Sequence, residues 1–321
     1  MENYIMKQKA ARNKTIDFTL EEGKEYLERC ISIDHVSDDY ESVKNAFIIG
    51  DSLEVMDKLP RKFVDLLVVD PPYNLAKEYH GNKFNQTSQE EYREYTISWL
   101  EKVVPLLKDT ASIYVCCDWK SSLVIGNVLY QYFRVRNRIT WQREKGRGAK
   151  TNWKNGMEDI WFATMGNDYT FNLEDVKIRK KVVAPYKEAG EPKDWEETDH
   201  GNFRNTCPSN FWDDISIPYW SMPENTGHPT QKPEKLIAKL ILASSKEGDV
   251  VFDPFAGSGT TAVTAKKLHR DYVAVEQNEL YGAWAQKRLE MAEKDSSIQG
   301  YCNGVFWERN SLADQKKVEK F

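Results

Sequence analysis

The feature that most constrains this chain is a set of short apolar runs that lack the polar alternation of a half-exposed strand. In chain order they read "NAFIIGD", "FVDLLVVD", "ASIYVCC", "DVVFD" and "YVAVE". Segments with helical periodicity lie between them, at residues 89–107, 121–133 and 233–245. Strands that are apolar on both sides must be covered on both faces, and a parallel sheet between helical layers meets this need. The sequence therefore predicts an α/β fold with a mostly parallel central sheet.

This strand–helix pattern is interrupted once along the chain. From about residue 143 to 226 the sequence is rich in Trp, Pro, Asn and Gly and has few apolar periodicities. One α/β domain with an insertion explains the interruption better than two successive domains. The expected organisation is an N-terminal extension (1–44), one half of the domain (45–142), an inserted segment (143–226), the other half (227–295) and a C-terminal tail (296–321).

Charge and composition argue against several classes of protein. The net charge of −5 argues against a globally basic nucleic-acid-binding surface, although a local basic patch stays open. No stretch approaches the roughly 18 apolar residues of a membrane span, and the first ten residues lack the apolar core of a signal peptide. The five cysteines show no spacing typical of a metal site. We therefore expect a cytoplasmic protein with no membrane partner and no bound metal.

One apolar run ends unusually, in "LLVVDPPYNL". Asp70 follows the aliphatic residues directly, and Pro71, Pro72 and Tyr73 come next. Asp and Pro are ordinary turn residues, so a rigid turn without a chemical role is one interpretation. The segment lies at the carboxyl end of a predicted strand, where open α/β sheets bind ligands, and this position favours a functional site.

A second run leads into a glycine-rich turn, "VVFDPFAGSGTTAV". It is not a P-loop, because no Lys follows Gly259, and the Gly-x-Gly-x-x-Gly dinucleotide pattern is incomplete. Asp253 ends this strand and Glu276 ends the next, 19 positions after Gly257, where Rossmann-type folds bind ribose hydroxyls. Two acids beside close glycines suit a ligand with an adenosine ribose and a positive charge, as in S-adenosylmethionine. A tight turn with solvent-facing acids is the alternative.

Together these blocks resemble a known family. "DPPY" at Asp70–Tyr73 and "DPFAGSGTT" at Asp253–Thr261 are similar to motifs of the S-adenosylmethionine-dependent amino-group DNA methyltransferases. The tetrapeptide precedes the glycine loop, with a variable segment between them, which is the permuted order of the beta class. "GDSLEVMDKLP" at Gly50–Pro60 and "GHPTQKP" at Gly227–Pro233 agree. The resemblance covers roughly residues 46–140 and 226–293.

The resemblance implies a Rossmann-like methyltransferase fold, S-adenosylmethionine as cofactor and two sets of site residues. The catalytic set is Asp70, Pro71, Pro72 and Tyr73. The cofactor-binding set is Asp51, Asp70, His228, Lys232, Asp253, Phe255, Ala256, Gly257, Ser258, Gly259, Thr260 and Glu276. In this set His228 or Lys232 is expected to meet the methionine carboxylate and Asp51 the adenine side. For His228 and Lys232, an ordinary loop histidine and a solvated charge are the alternatives.

The tetrapeptide suits methylation of an exocyclic amine. The lone pair of such an amine is delocalised into the base, so the nitrogen must become more tetrahedral before it reacts. An Asp70 carboxylate and a Pro71 carbonyl that accept its two N–H groups would impose this geometry. Proline fixes φ and has no N–H, so it holds that carbonyl in place. Tyr73 offers a flat face for a base that has left the duplex.

A basic run lies at the start of the insertion. Residues 134–154 hold eight basic side chains and one acidic one, with Trp141 and Trp153 among them. In an acidic protein this local bias predicts a surface that contacts DNA phosphates, and a solvated charged face is the alternative. The predicted DNA-binding residues are Arg143, Lys145, Arg147, Lys150 and Lys154. For base reading, the candidates in the variable region are Asn202, Arg204, Asn205 and Asn210.

The sequence thus predicts a site-specific methyltransferase that acts on the 6-amino group of adenine in duplex DNA. Relatives that act on the 4-amino group of cytosine more often carry Ser in place of Asp70, so Asp favours adenine. A cytosine enzyme and a catalytically silent nucleic-acid-binding protein are the alternatives. The resemblance also suggests an origin in a restriction-modification system. It leaves open a partner endonuclease acting on the same site, and a homodimer.

Overall fold

The structure, a computed structural model, describes residues 9–74, 77–79, 82–84, 87–143, 151–182, 187–188, 190–199 and 201–318. The helices of these described residues are α1 (Leu20–Glu28), α2 (Tyr40–Val43), α3 (Ser52–Lys58), α4 (Gln89–Val103), α5 (Ser121–Tyr132), α6 (Glu234–Ser244), α7 (Thr260–Lys267), α8 (Glu279–Lys294) and α9 (Leu312–Val318). Among them, no helix is long and apolar enough to cross a membrane.

The strands of the described residues are β1 (Ile31–Ser32), β2 (Ala46–Ile49), β3 (Val64–Val69), β4 (Lys77–Tyr79), β5 (Asn82–Phe84), β6 (Leu107–Cys117), β7 (Arg134–Gln142), β8 (Met157–Thr164), β9 (Ile178–Lys181), β10 (Lys187–Glu188), β11 (Glu191–Pro192), β12 (Glu196–Thr198), β13 (Gly201–Thr206), β14 (Phe211–Trp212), β15 (Val250–Asp253), β16 (Asp271–Glu276), β17 (Tyr301–Cys302) and β18 (Val305–Trp307).

A nine-stranded sheet forms the centre of the molecule. Its strand order is β1-β2-β16-β15-β3-β6-β8-β7-β14. Pairing is parallel from β1 through to β6, and β14 is parallel to β7. Only β8 runs against its neighbours, β6 and β7. The predicted mostly parallel central sheet is therefore confirmed.

Both faces of this sheet are buried, as its apolar strands require. Along β3, Leu67 and Val69 belong to the core on one face, and Leu66 and Val68 to the core on the other. Helices α3, α4 and α5 contribute apolar side chains to the first core, while α6, α7 and α8 contribute to the second. The period of two in a strand separates the two sets of side chains. The fold is the predicted α/β arrangement with helices on both faces.

The segments that flank the predicted domain halves also join sheets. β1, from the predicted extension, pairs in parallel with β2, and the Phe18 and Trp284 rings lie 6.3 Å apart between the N-terminal segment and α8. β17 and β18, from the predicted tail, lie in a five-stranded sheet of order β12-β13-β9-β18-β17. The other strands of that sheet come from the predicted insertion. The division of the chain into extension, halves, insertion and tail stays a prediction.

The sheet topology places the two conspicuous motifs side by side. β3 and β15 are neighbours and parallel, with Leu66 paired to Val251. Asp70 follows β3 and Asp253 ends β15, so both acids lie at the same edge of the sheet. β16 is the next strand, and Glu276 ends it at that edge as well. Three predicted site residues that are distant in the sequence therefore meet at the carboxyl ends of three adjacent strands, where open α/β sheets bind ligands.

Candidate active site

A cavity of about 400 Å³ opens at this edge. That volume is within the range of small-molecule sites, roughly 300–1,000 Å³. The predicted residues that line it are Asp51, Asp70, Pro71, Pro72, Tyr73, Arg143, His228, Lys232, Asp253, Phe255, Ala256, Gly257, Ser258, Thr260 and Glu276. The structure therefore brings the tetrapeptide, the glycine loop and the "HPTQKP" segment into one cavity.

The tetrapeptide is fixed by contacts from elements around it. The Tyr73 hydroxyl donates to Asp70 Oδ1 over 2.7 Å, within the tetrapeptide itself. Tyr92 of α4 donates its hydroxyl to the Pro72 carbonyl at 3.2 Å. The next residue, Asn74, exchanges hydrogen bonds with the backbone of Thr87, at 2.9 and 2.8 Å. Burial, followed by the charge of Asp70, raises the pKa of Tyr73 well above its usual value, so its hydroxyl stays protonated.

Lys232 makes the shortest contact with the Asp70 carboxylate. Its Nζ lies 2.6 Å from Asp70 Oδ2, 3.1 Å from the Tyr73 hydroxyl and 3.3 Å from Glu158 Oε2. Burial disfavours the ammonium, but the charges of Asp70 and Glu158 outweigh it and raise the pKa of Lys232. Arg143 is ion-paired to Glu158 on the far side. The site therefore contains a row of alternating charges, in the order Asp70, Lys232, Glu158, Arg143.

The glycine loop adopts a backbone that its glycines permit. Gly257 and Gly259 have φ angles of +53° and +76°, which residues with a side chain rarely adopt. A Cβ at Gly257 would lie 3.1 Å from His228 Nε2, and one at Gly259 would lie 2.6 Å from the Ala285 Cβ. Gly257 lines the cavity, whereas Gly259 permits close packing against α8. Of the predicted cofactor set, Gly259 alone is outside the lining.

Two carboxylates hold this loop through the backbone. Asp253 Oδ1 accepts from the Phe255 N–H at 3.0 Å, and its Oδ2 accepts from the Thr261 hydroxyl at 2.6 Å. Glu276 Oε2 accepts from the Gly257 N–H at 2.9 Å. Burial raises the pKa of Asp253 to about 7, and it also raises the pKa of Glu276. The turn and the strand-end acids thus form one hydrogen-bonded unit.

The loop is also tied to the "HPTQKP" segment by a buried arginine. Arg288 of α8 donates to the Ser258 carbonyl at 2.8 Å and to the Thr260 hydroxyl at 3.0 Å. Its Nη2 lies 3.0 Å from Glu234 Oε1, at the start of α6. The Thr260 hydroxyl in turn donates to the Lys232 carbonyl at 3.1 Å. These bonds fix the backbone of Lys232 relative to the glycine loop.

His228 lies against an aromatic side chain at the cavity wall. Its ring is 4.3 Å from the Tyr281 ring, edge to face, and its Nδ1 accepts from the Thr230 N–H at 3.3 Å. Asp51 caps α3, accepting at Oδ1 from the backbone N–H groups of Leu53 and Glu54. The expected roles of His228 and Asp51 toward a cofactor stay predictions.

The predicted DNA contacts divide into three groups. Arg143 lines the cavity, and Lys154 is exposed and lies outside the lining. Lys145, Arg147 and Lys150 fall outside the described residues. Of the base-reading candidates, Asn202, Arg204 and Asn205 lie on β13, and Asn210 donates to the Arg138 carbonyl at 3.1 Å. Their roles stay predictions.

Two buried charges of the site were missed in the sequence. Glu158 is 4% exposed on β8, and Arg288 is 2% exposed on α8. A signal for Glu158 exists, because it shares the face of β8 that buries Ile160 and Phe162. An acid at such a position needs a partner, since a buried unpaired charge is costly. Arg288 carries no comparable signal in a helix that has several other charges. Among the described residues, no cluster of potential metal ligands is present.

Comparison with known proteins identifies the family. Residues 64–287 match the DNA methylase family of N6 and N4 enzymes. The chain is 32% identical over 259 residues to the type II methyltransferase M.HpaI of Haemophilus parainfluenzae, covering 79% of this chain and 75% of that protein. It is also 32% identical to the DNA adenine methyltransferase YhdJ of Escherichia coli K12, covering 78% and 84%. The chain therefore belongs to the DNA methylase family and is a beta-class amino-group methyltransferase.

Solved structures support the fold. The complex of M1.HpyAVI with S-adenosylmethionine aligns with a TM-score of 0.52 at 21% identity, over 76% of this chain and 98% of that one. The cytosine-N4-specific PvuII DNA methyltransferase aligns with a TM-score of 0.53 at 18% identity, over 78% and 92%. The predicted Rossmann-like methyltransferase fold is confirmed.

Proposed function

We propose that this enzyme transfers a methyl group from S-adenosylmethionine to the 6-amino group of adenine at a specific site in duplex DNA. The observation that carries the proposal is the position of Asp70. It lies at the end of β3 in the cavity that also contains the glycine loop. Asp rather than Ser at this position, and the adenine specificity in the name of the relative YhdJ, favour adenine over cytosine.

The cavity suits S-adenosylmethionine. Gly257 lines it without a Cβ, so a ligand can approach the backbone closely. Glu276 accepts from the Gly257 N–H at Oε2 and from the Asn278 N–H at Oε1, and each oxygen has a second lone pair that can accept from a ribose hydroxyl. We assign Asp51 to the adenine side of the cofactor and His228 to the methionine carboxylate, since both line the cavity. Lys232 is a weaker candidate for that carboxylate, because its ammonium is engaged by Asp70.

The chemical step needs an aligned amine. The bound cofactor supplies an electrophilic methyl group, whose bond to sulfur breaks as its bond to the amine nitrogen forms, leaving a neutral thioether. Asp70 and the Pro71 carbonyl accept from the two N–H groups and direct the nitrogen lone pair at that methyl. Asp70, or a water, takes the proton that the methylated nitrogen loses. Holding the reacting atoms in line is the main contribution, because orientation alone can supply much of a barrier reduction.

The target base is tested by product analysis. The protein is incubated with labelled S-adenosylmethionine and plasmid DNA, the DNA is digested to nucleosides, and these are identified by mass spectrometry. We expect 6-methyladenine. The product 4-methylcytosine without methyladenine would contradict the adenine assignment while leaving the enzyme class intact. Absence of any methylated nucleoside, across plasmids that together contain every short sequence, would contradict the proposed function.

DNA binding is assigned to the basic run after β7. Because phosphate contacts release counterions, each one contributes about one unit to the slope of log affinity against log salt. Replacing Lys145, Arg147 and Lys150 together by Ala is expected to weaken binding on any sequence and to flatten that slope. The matched control replaces the exposed Lys24, Lys44 and Lys294, elsewhere on the surface, by Ala. A triple variant with the parent slope would show that the run is a solvated face.

The names of two relatives also bear on the biological role of this enzyme. M.HpaI and M1.MboII are named type II methyltransferases, and the latter is 32% identical over 71% of this chain. We infer that this enzyme belongs to, or derives from, a restriction-modification system in which an endonuclease acts on the same DNA site. The test is protection: plasmid methylated by this enzyme should resist an endonuclease that recognises the methylated sequence.

A further inference from the structure

The row of four charges in the cavity raises the question of how Asp70 becomes available to a target amine. Both carboxylate oxygens of Asp70 accept from side chains, Oδ1 from Tyr73 at 2.7 Å and Oδ2 from Lys232 at 2.6 Å. A charged ammonium is a much stronger donor than a neutral exocyclic amine. Lys232 therefore competes with the amine for the acceptor that the reaction requires.

Glu158 provides an alternative position for that ammonium. Its Oε2 lies 3.3 Å from Lys232 Nζ, and among the described residues this buried oxygen has no hydrogen-bond partner. The backbone of Lys232 is fixed by the Thr260 hydroxyl, so a small rotation of the lysine side chain changes its partner without moving the loop. The position of Lys232 thus depends on how strongly Glu158 attracts it.

Arg143 controls how strongly Glu158 attracts Lys232. Its guanidinium is ion-paired with Glu158 and partly neutralises the carboxylate. Arg143 also directly follows β7, where the basic run predicted to contact DNA continues. Its side chain is 30% exposed, against 5% for Glu158, so it is the member of the pair that a DNA phosphate can reach.

We propose that Arg143, Glu158 and Lys232 form a relay that couples phosphate binding to the release of Asp70. When Arg143 forms an ion pair with a phosphate of the DNA backbone, Glu158 stays buried but loses its counter-ion. A buried unpaired carboxylate is unfavourable, so it draws Lys232 away from Asp70. Asp70 then accepts from the target amine. This inference rests on the proposed function, because it assumes that Asp70 holds that amine; Glu158 is a positioning residue.

The first test removes the negative charge of Glu158. In Glu158→Gln the neutral amide competes less for Arg143, and Lys232 stays on Asp70. We expect duplex DNA to bind at least threefold more tightly, while the single-turnover rate of methyl transfer at saturating DNA falls at least tenfold. A structural defect would weaken both. Glu158→Asp, which keeps the charge, should recover at least threefold of the lost rate.

The second test replaces Arg143. Arg143→Gln should weaken DNA binding at least threefold, because a phosphate contact is lost, and its single-turnover rate at saturating DNA should exceed that of Glu158→Gln at least threefold, because the unpaired Glu158 still draws Lys232 from Asp70. The double variant should have the rate of Glu158→Gln alone, since Arg143 acts through Glu158. The control is Asp65→Asn, which neutralises the Lys108–Asp65 ion pair at the other end of β3, and both of its values should match the parent.

The outcomes separate the relay from the proposed function. Weaker or unchanged DNA binding in Glu158→Gln overturns the relay, as does a tenfold loss of saturating rate in Arg143→Gln. The Arg143 variant keeps this test valid if Glu158→Gln does not fold. If the parent methylates cytosine, the adenine proposal fails. The single-turnover rates of the variants, measured on cytosine, then test the relay. If the parent transfers no methyl group, the proposed function fails and the relay fails with it, whereas in an active parent the variants can contradict the relay alone.

Discussion

Two acids at the same edge of the sheet are held in different ways. Asp253 ends β15, is 4% exposed and binds the Phe255 N–H and the Thr261 hydroxyl, both within eight residues along the chain. Asp70 follows the neighbouring strand and binds the side chains of Tyr73 and Lys232, the second of which is 162 positions away. One carboxylate belongs to a local turn, and the other to a tertiary network.

Whether the partners of a carboxylate are local or distant in the sequence determines what that carboxylate can do. A carboxylate whose partners are close in the sequence can shape a loop but cannot exchange those partners without unfolding the turn. A carboxylate held by long side chains can release them when a ligand offers a better arrangement. Asp253 is therefore expected to matter for the shape of the cavity and for stability, and Asp70 for chemistry.

The sharpest test of this contrast is Asp70→Ala. We expect methyl transfer to fall about 10³-fold or more, because the variant loses the acceptor that orients the amine and receives its proton. DNA affinity and the circular dichroism spectrum should stay close to those of the parent. Single-turnover transfer of labelled methyl groups measures the effect. A variant with near-parent turnover would show that Asp70 is as structural as Asp253.

Tyr73 tests whether the partners of Asp70 are exchangeable. Loss of base stacking costs about 1–3 kcal/mol, so Tyr73→Ala should slow methylation roughly 5- to 150-fold. Tyr73→Phe keeps the ring and removes only the hydroxyl that donates to Asp70, so its rate should remain within about fivefold of the parent. Equal losses in both variants would assign the role of Tyr73 to its hydroxyl rather than to its ring.

Glu276, at the end of β16, is the third acid at this edge of the sheet. Binding of S-adenosylmethionine should raise the melting temperature, since a ligand of the native state stabilises it by mass action. Glu276→Ala should weaken that binding about tenfold or more, because hydrogen bonds to a charged group are worth roughly 1.5–3 kcal/mol. Calorimetric titration measures the affinity, with the exposed Glu293→Ala on α8 as control. An unchanged affinity would place the ribose elsewhere.

The smallest effect is expected for Asp253→Asn, and it depends on pH. Burial raises the pKa of Asp253 from 3.8 to about 7, so the folded state holds this proton more tightly than the unfolded state does. The resulting stabilisation is complete below pH 3.8 and is lost as the pH rises through about 7. Asn cannot ionise. Relative to the parent, the melting temperature of the variant should therefore rise by about 2–4 °C between pH 5 and pH 8.

A constant difference in melting temperature across that pH range would contradict the raised pKa of Asp253. Glu276 also has a raised pKa, and it titrates in both proteins. Its contribution cancels in the comparison, so the pH-dependent part of the difference reports on Asp253.

The fold and both halves of the cavity could be predicted because their signals are local. An apolar run such as "FVDLLVVD" determines a doubly covered strand by itself, and Gly257 and Gly259 mark a turn whose backbone needs them. The family resemblance then joined "DPPY" to the glycine loop, which the parallel pairing of β3 and β15 confirms. These features need no knowledge of distant contacts.

The strand β7 shows where local signals compete. Its nine residues were placed at the end of a predicted domain half and in a basic, DNA-contacting run but not in a strand, yet Ile139 and Trp141 are buried in the sheet. Side chains that point outward, such as Arg134 and Arg138, dominate the composition and hide the period of two.

Glu158 and Arg288 show what single-sequence patterns could not supply. Lys232 lies 74 positions beyond Glu158, and Glu234 lies 54 positions before Arg288. A charge can be buried because an ion-pair partner offsets the cost, and only the folded chain shows which residue is that partner.

The adjacency of β3 and β15 has a consequence for the way this enzyme is made. Their paired residues, Leu66 and Val251, are about 185 positions apart, so the strand that carries Asp70 leaves the ribosome long before its neighbour is translated. Non-local strand pairing of this kind is slow, because a long loop must close before the contact forms. A nascent chain therefore holds β3 with an unpaired edge until β15 is translated. Activity during synthesis should therefore appear only after β15, the glycine loop and Glu276 have been translated, rather than with the catalytic tetrapeptide.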